Sequence, residues 1–123
     1  MEGSAGAEPS IIIKVSMDKN ELKSTKAYQR FIAELKIHQE NVSALHGAGV
    51  GSISSEQVEE FQIVFHTIKG TAGFFGFEKL ADISSILEEE FLNKESKDLV
   101  SKSETVMVHL RQFVDQCKQA IQE

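Results

Sequence analysis

Apolar residues return every three or four positions in four separate stretches of the 123-residue chain, and no stretch alternates apolar with polar as a half-buried strand would. Tyr28, Phe31, Ile32, Leu35, Val42 and Leu45 form the first series, and Phe61, Val64, Phe65, Ile68, Ala72 and Phe75 the second. Leu80, Ile83, Ile86, Leu87 and Phe91 form the third; Leu99, Val106, Leu110, Phe113, Val114, Cys117 and Ile121 form the fourth. A helix with one apolar stripe must bury it against others of its kind. The pattern therefore predicts an all-α fold, an antiparallel up-down-up-down four-helix bundle with a flexible or loosely packed N-terminal arm.

The residues between the stripes mark the joints. Gly47, Gly49 and Gly51 are expected to end the first main helix and open a flexible loop. Ser54 with Gln57 three positions on has the form of a capping box, so the second helix starts there. It should stop at Gly76, which is free to adopt the left-handed conformation at a helix end. So short a turn before the third series forces the two helices antiparallel. A fourth helix is expected from about Asp98, after the polar run Asn93 to Lys97. Asp18-Lys19-Asn20-Glu21 also has capping-box form, which leaves open a short helical turn before the first main helix or one long helix. The small, polar residues 1–10 read as a flexible lead or a cloning remnant. Ile11-Ile12-Ile13-Lys14-Val15 either packs as an extended arm or belongs with a neighbouring segment. The expected organisation is thus a flexible lead or extended arm over residues 1–17 and a single domain over 18–123; the lone proline, Pro9, lies outside every helix.

The face of the second helix opposite its stripe carries Gln62, His66, Lys69, Gly70 and Gly73. His66 therefore points away from the core. Each glycine inside a helix costs about 1 kcal/mol relative to alanine, and here two of them follow the imidazole on the same side. Bare backbone around a ring nitrogen lets another protein's active site close over it, while Lys69 supplies positive charge one turn on.

His66, Lys69, Gly70, Gly76 and Leu80 match a pattern of His, then Lys-Gly three residues later, then a further Gly and an apolar residue. In this the chain resembles histidine phosphotransfer (HPt) domains. The wording from His66 to Phe77 is similar to the first domain of chemotaxis-type histidine kinases of the CheA family. The likeness is strong from Val58 to Glu90, and none is visible before Tyr28. It implies a helical bundle that is a phosphocarrier in a two-component phosphorelay. His66 would take a phosphoryl group from a histidine kinase catalytic domain, or from a phosphorylated receiver, and pass it to the Asp of a response-regulator receiver domain. It further implies that Glu88, at the position of a carboxylate on the next helix, orients the imidazole, and that Lys69 is the charge partner of the phosphoryl oxygens. Where that family often has a second His one turn before the carboxylate, this chain has Ser85. Gln62, Ile63, Gly70, Gly73 and Phe74 flank His66 as candidate partner-docking residues; Ile63 and Phe74 would equally serve as packing against a neighbouring helix.

Several classes fall away. A net charge of -6 does not suit a nucleic-acid backbone. No apolar run approaches the ~20 residues of a membrane span and no signal peptide opens the chain, so no membrane role and a cytoplasmic location are expected. Cys117 is single, which excludes an internal disulfide, and its core position suggests a buried, unreactive thiol. Neither a phosphate-binding glycine loop nor an acidic cluster for Mg²⁺ is present, so the chain is expected to bind no cofactor, to lack a nucleotide site of its own and not to be an enzyme, with ATP and Mg²⁺ supplied by partner domains. A di-iron bundle needs Glu-x-x-His pairs, and no His here has a Glu three residues before it. The remaining alternative is a helical-bundle interaction or scaffold module whose exposed His66 is incidental. His38, His46 and His109 read as ordinary surface residues.

Overall fold

A computed structural model describes residues 19–123, and of Lys19 and Asn20 only the backbone. The expected arm over residues 1–17 lies outside the described residues. At the start of the described chain α1 (Lys19–Lys23) is a single helical turn distinct from α2 (Lys26–Ala48), which settles the choice left by the sequence in favour of two helices. The break is closed locally: Ser24 Oγ donates to the Glu21 carbonyl at 2.7 Å and Thr25 Oγ1 to that of Leu22 at 2.8 Å. Thr25 Oγ1 then accepts from the Tyr28 amide at 3.2 Å, capping α2.

The body of the fold is the all-α bundle expected. After a 3₁₀ turn (Val50–Ser52) come α3 (Ser55–Phe74), α4 (Glu78–Phe91), the short α5 (Ser96–Ser101) and α6 (Ser103–Gln122). The four long helices run up, down, up, down. Stripe residues from all four meet in one core, where Leu35, Val42, Val58, Phe65, Ala72, Leu87, Leu110 and Phe113 are wholly enclosed. Phe65 is central: its ring meets Phe91 of α4 and Phe113 of α6 edge-on at 5.2 Å each. Rolling α3 would withdraw that ring from both neighbours, so Phe65 fixes which way the next residue, His66, points.

Local chemistry sets the ends of α3. Ser54 Oγ accepts from the Gln57 amide at 3.2 Å while Gln57 Oε1 accepts from the Ser54 amide at 2.9 Å, the reciprocal cap foreseen. At the far end Gly76 has φ +87. The Phe77 amide reaches back to the Ala72 carbonyl at 2.8 Å and the Gly76 amide to that of Gly73 at 3.2 Å, a Schellman termination. α4 then returns along α3 and also packs on α6.

Three expectations need correction. The glycine-rich joint after α2 is not an open loop: Gly47 is still helical, Gly49 turns at φ +92, and Val50 is buried in the 3₁₀ turn. The fourth helix does not run unbroken from Asp98, but breaks at Lys102. Leu99 is in phase with the later stripe, so periodicity hides the break; its reason is tertiary, since α5 turns toward the 3₁₀ turn, where Ser96 Oγ donates to the Val50 carbonyl at 3.2 Å. Ile86 is 44% exposed. It precedes the buried Leu87 by about 100° of helix rotation, at the rim of a groove that it lines with Leu99 of α5 and Val106 of α6.

Candidate functional site

α3 presents His66 and Lys69, and α4, coming back antiparallel, presents Glu88 level with both. The Glu88 carboxylate bridges them: Oε2 lies 2.6 Å from His66 Nδ1 and Oε1 lies 2.6 Å from Lys69 Nζ. An ionised carboxylate only accepts hydrogen bonds, so Nδ1 carries the proton that it accepts. In the neutral ring the opposite nitrogen, Nε2, is then the one with the lone pair. The His66 side chain is 63% exposed, that of Glu88 only 13%. The ring thus stands in solvent while its anchor is largely covered. Glu88 is held below its ordinary value of 4.5, first by the hydrogen bond from Lys69 and also by that from His66, with partial burial opposing both.

The surroundings of His66 are open. A methyl group added at Gly70 or at Gly73 would have nothing within 4 Å, so neither glycine is there to let a neighbouring helix approach. Ile63 and Phe74 are 54% and 51% exposed, although Phe74 also meets the Phe75 ring edge-on at 5.0 Å. Both sit on the His66 side of α3. Gln62 is placed differently from the other flanking residues: it is half-buried, with Nε2 3.5 Å from Glu88 Oε2, at the outer limit of hydrogen-bond reach. A groove lined by His38, Val42, Leu45, Ile53, Phe61 and Val64 runs along the opposite flank of α3 and includes none of His66, Lys69 and Glu88. Among the described residues no group of three or more His, Cys, Asp or Glu is arranged to hold a metal ion, and no helix is long and apolar enough to cross a membrane.

Two of the histidines that read as ordinary surface residues in the sequence are partly covered. His109 Nδ1 lies 2.8 Å from Glu90 Oε2, and both side chains are largely covered. Glu88 and Glu90 differ by about 200° around α4, so the acidic run Glu88-Glu89-Glu90 sends its first member to α3 and its last to α6. No spacing rule joins residues 90 and 109, which meet only through the packing of two helices. His38 is half-buried in the groove, and burial pushes its pKa down against the pull of Glu34. Cys117 is buried, as expected of a core position, and desolvation pushes its thiol up to about 12.

Among known families, the model of the Hpt domain matches residues 26–122, which include His66, Lys69, Gly70, Gly73 and Glu88. No curated protein and no solved structure matches the chain.

Proposed function

The chain belongs to the Hpt domain family and is a phosphotransfer module of phosphorelay signalling; from that premise we propose that His66 is the residue that carries the phosphoryl group, between a histidine kinase catalytic domain and the Asp of a receiver domain. The observation that supports this is the direction of the ring. With Nδ1–H committed to Glu88 at 2.6 Å, the lone pair of Nε2 faces solvent over two bare glycines. In the first transfer that lone pair attacks phosphorus, the bond from phosphorus to the donor oxygen breaks, and its electron pair leaves on that oxygen. In the second, the receiver carboxylate attacks phosphorus and the electron pair of the P–N bond returns to Nε2.

Each neighbour has a part. Glu88 fixes the tautomer and stabilises the positive charge that the ring gains on phosphorylation. Lys69 pairs with the phosphoryl oxygens as negative charge builds on them. Ile63, Gly70, Gly73 and Phe74 are the surface on which partners close, and Gln62 steadies the carboxylate from beneath. ATP and Mg²⁺ belong to the partners, which act with this domain in the cytosol, and the CheA-like wording around His66 favours a donor of the chemotaxis-kinase type.

Incubation of the chain with a histidine kinase, labelled ATP and a receiver tests the assignment. The wild type should take up an acid-labile, base-stable phosphate and deliver it to the receiver. His66→Gln should fold as a helical bundle and take up none. Continued labelling of that variant would leave His66 incidental and the bundle an interaction module.

A further inference from the structure

Ser84 lies one turn before Glu88 on α4 and is the one polar side chain among the described residues that is fully enclosed, at 0% exposure. Its hydroxyl has no hydrogen-bond partner; even the usual helical bond to the carbonyl four residues back is absent. In this state alanine would serve better, because a buried hydroxyl without a partner bears the cost of lost hydration with no return. Whatever the hydroxyl does, it does in another state of the site.

The chemistry of Glu88 indicates which state. Its two oxygens each hold one donor, His66 Nδ1 on Oε2 and Lys69 Nζ on Oε1. The ring nitrogens face opposite ways, so a phosphoryl group on Nε2 lies on the side remote from Glu88, and Lys69 must leave Oε1 to pair with it. Oε1 belongs to a side chain only 13% exposed and then lacks a donor. Residues four apart on a helix are neighbours on one face, and a turn of the Ser84 side chain about its first torsion carries the hydroxyl toward that carboxylate. The other buried atom without a partner, Glu90 Oε1, is an acceptor and cannot take this part.

We propose that Ser84 is a positioning residue: its hydroxyl replaces Lys69 on Glu88 Oε1 when Lys69 turns to the phosphoryl group, so that the carboxylate keeps its hold on His66 Nδ1 through the transfer. This rests on the phosphotransfer function proposed above. The test uses the full chain with Ser84→Ala, Lys69→Met and the double variant. Ser84→Ala should melt no lower than the wild type and leave the His66 tautomer populations, read by ¹⁵N NMR, unchanged. It should load phosphoryl from the kinase about five-fold more slowly, the loss of one hydrogen bond of ordinary strength. In the Lys69→Met background Oε1 is already without its ammonium, so there Ser84→Ala should change the tautomer populations of the unphosphorylated chain. Loading at the wild-type rate, or tautomer populations indifferent to Ser84 in that background, overturns the proposal. The NMR arm involves no phosphoryl group and judges Ser84 by itself, whereas a wild type that never labels would count against the function.

Discussion

Gly70 and Gly73 set two properties of the chain against each other, and replacing them separates the two. Gly70 lies inside α3 and Gly73 in its last turn, next to Phe74, and a methyl group at either would meet nothing within 4 Å. Alanine at an exposed helix interior is worth about 0.5–1 kcal/mol over glycine. With no neighbour to displace, Gly70→Ala should deliver that gain in full and Gly73→Ala, in the last turn, at least part of it. The pair should then add no more than roughly 1–2 kcal/mol, and about 4 °C per kcal/mol in the melting temperature of a domain this size. Leucine has nearly alanine's helix propensity, so Gly73→Leu should also be stabilising while it erects a bulky side chain one helical face from the imidazole. A displacement of about 1 Å at a reacting centre can cost a hundred-fold in rate, and transfer to the receiver should fall at least ten-fold. Circular dichroism melts and single-turnover transfer, measured on the same preparations, read the two quantities. If Gly73→Leu gains stability and transfers at the wild-type rate, no partner closes over this face. If the alanine variants lose stability, the open space around these residues is not what it appears from the backbone.

Lys69→Ala should change stability by no more than about 1 kcal/mol, the range of a partly exposed ion pair, while slowing phosphoryl transfer; a normal transfer rate would remove the ammonium from the mechanism. Because the folded-state pKa of Glu88 is depressed, its contribution to stability is complete above its ordinary value of 4.5 and is lost as the pH falls through the lower folded value. That acid-side loss should shrink in Lys69→Ala, which removes the leading cause of the depression, and vanish in Glu88→Gln; urea titrations between pH 6 and pH 3 would show it. Glu88→Gln should also redistribute the His66 tautomers and slow phosphorylation, and an unaltered ¹⁵N spectrum would mean that the carboxylate does not hold the ring. Phe65→Ala, which empties the ring from the meeting point of α3, α4 and α6, should cost about 3–5 kcal/mol. A variant that unfolds at the wild-type denaturant concentration would show that this ring does not lock α3.

Much of this architecture can be read along the chain because a helix repeats its environment at fixed intervals. Phe65, Ile68 and Ala72 declare the inner side of α3, and the same rotation sends His66, Gly70 and Gly73 outward. The caps at Ser54 and Gly76 are equally local. Other features depend on which helices meet, and no interval encodes that. Ile86 satisfies the stripe yet stays half outside, at the rim of a groove between α4 and the segment from Leu99 to Val106. Leu99 satisfies it too, while the helix beneath it breaks to reach Val50. The pairing of Glu90 with His109, and the enclosure of Ser84, follow from the rotation of α4 within the bundle. Family likeness marks the position of Glu88, whereas its simultaneous grip on Lys69 and His66 follows from the way α4 returns along α3.

The turn at Gly76 works as the pivot of a caliper. One arm runs back ten residues to His66 and the other forward twelve to Glu88, about 15 and 18 Å of helix. The jaws close on a gap of 2.6 Å. One residue inserted between Gly76 and Glu88 would advance the second jaw by about 1.5 Å and swing it by about 100°, turning the carboxylate out of reach while every stripe upstream of the pivot stayed in place. Chain length in this hairpin is therefore held to the single residue, whereas the joint between α2 and α3, which touches neither jaw, is free to vary in length without opening the gap.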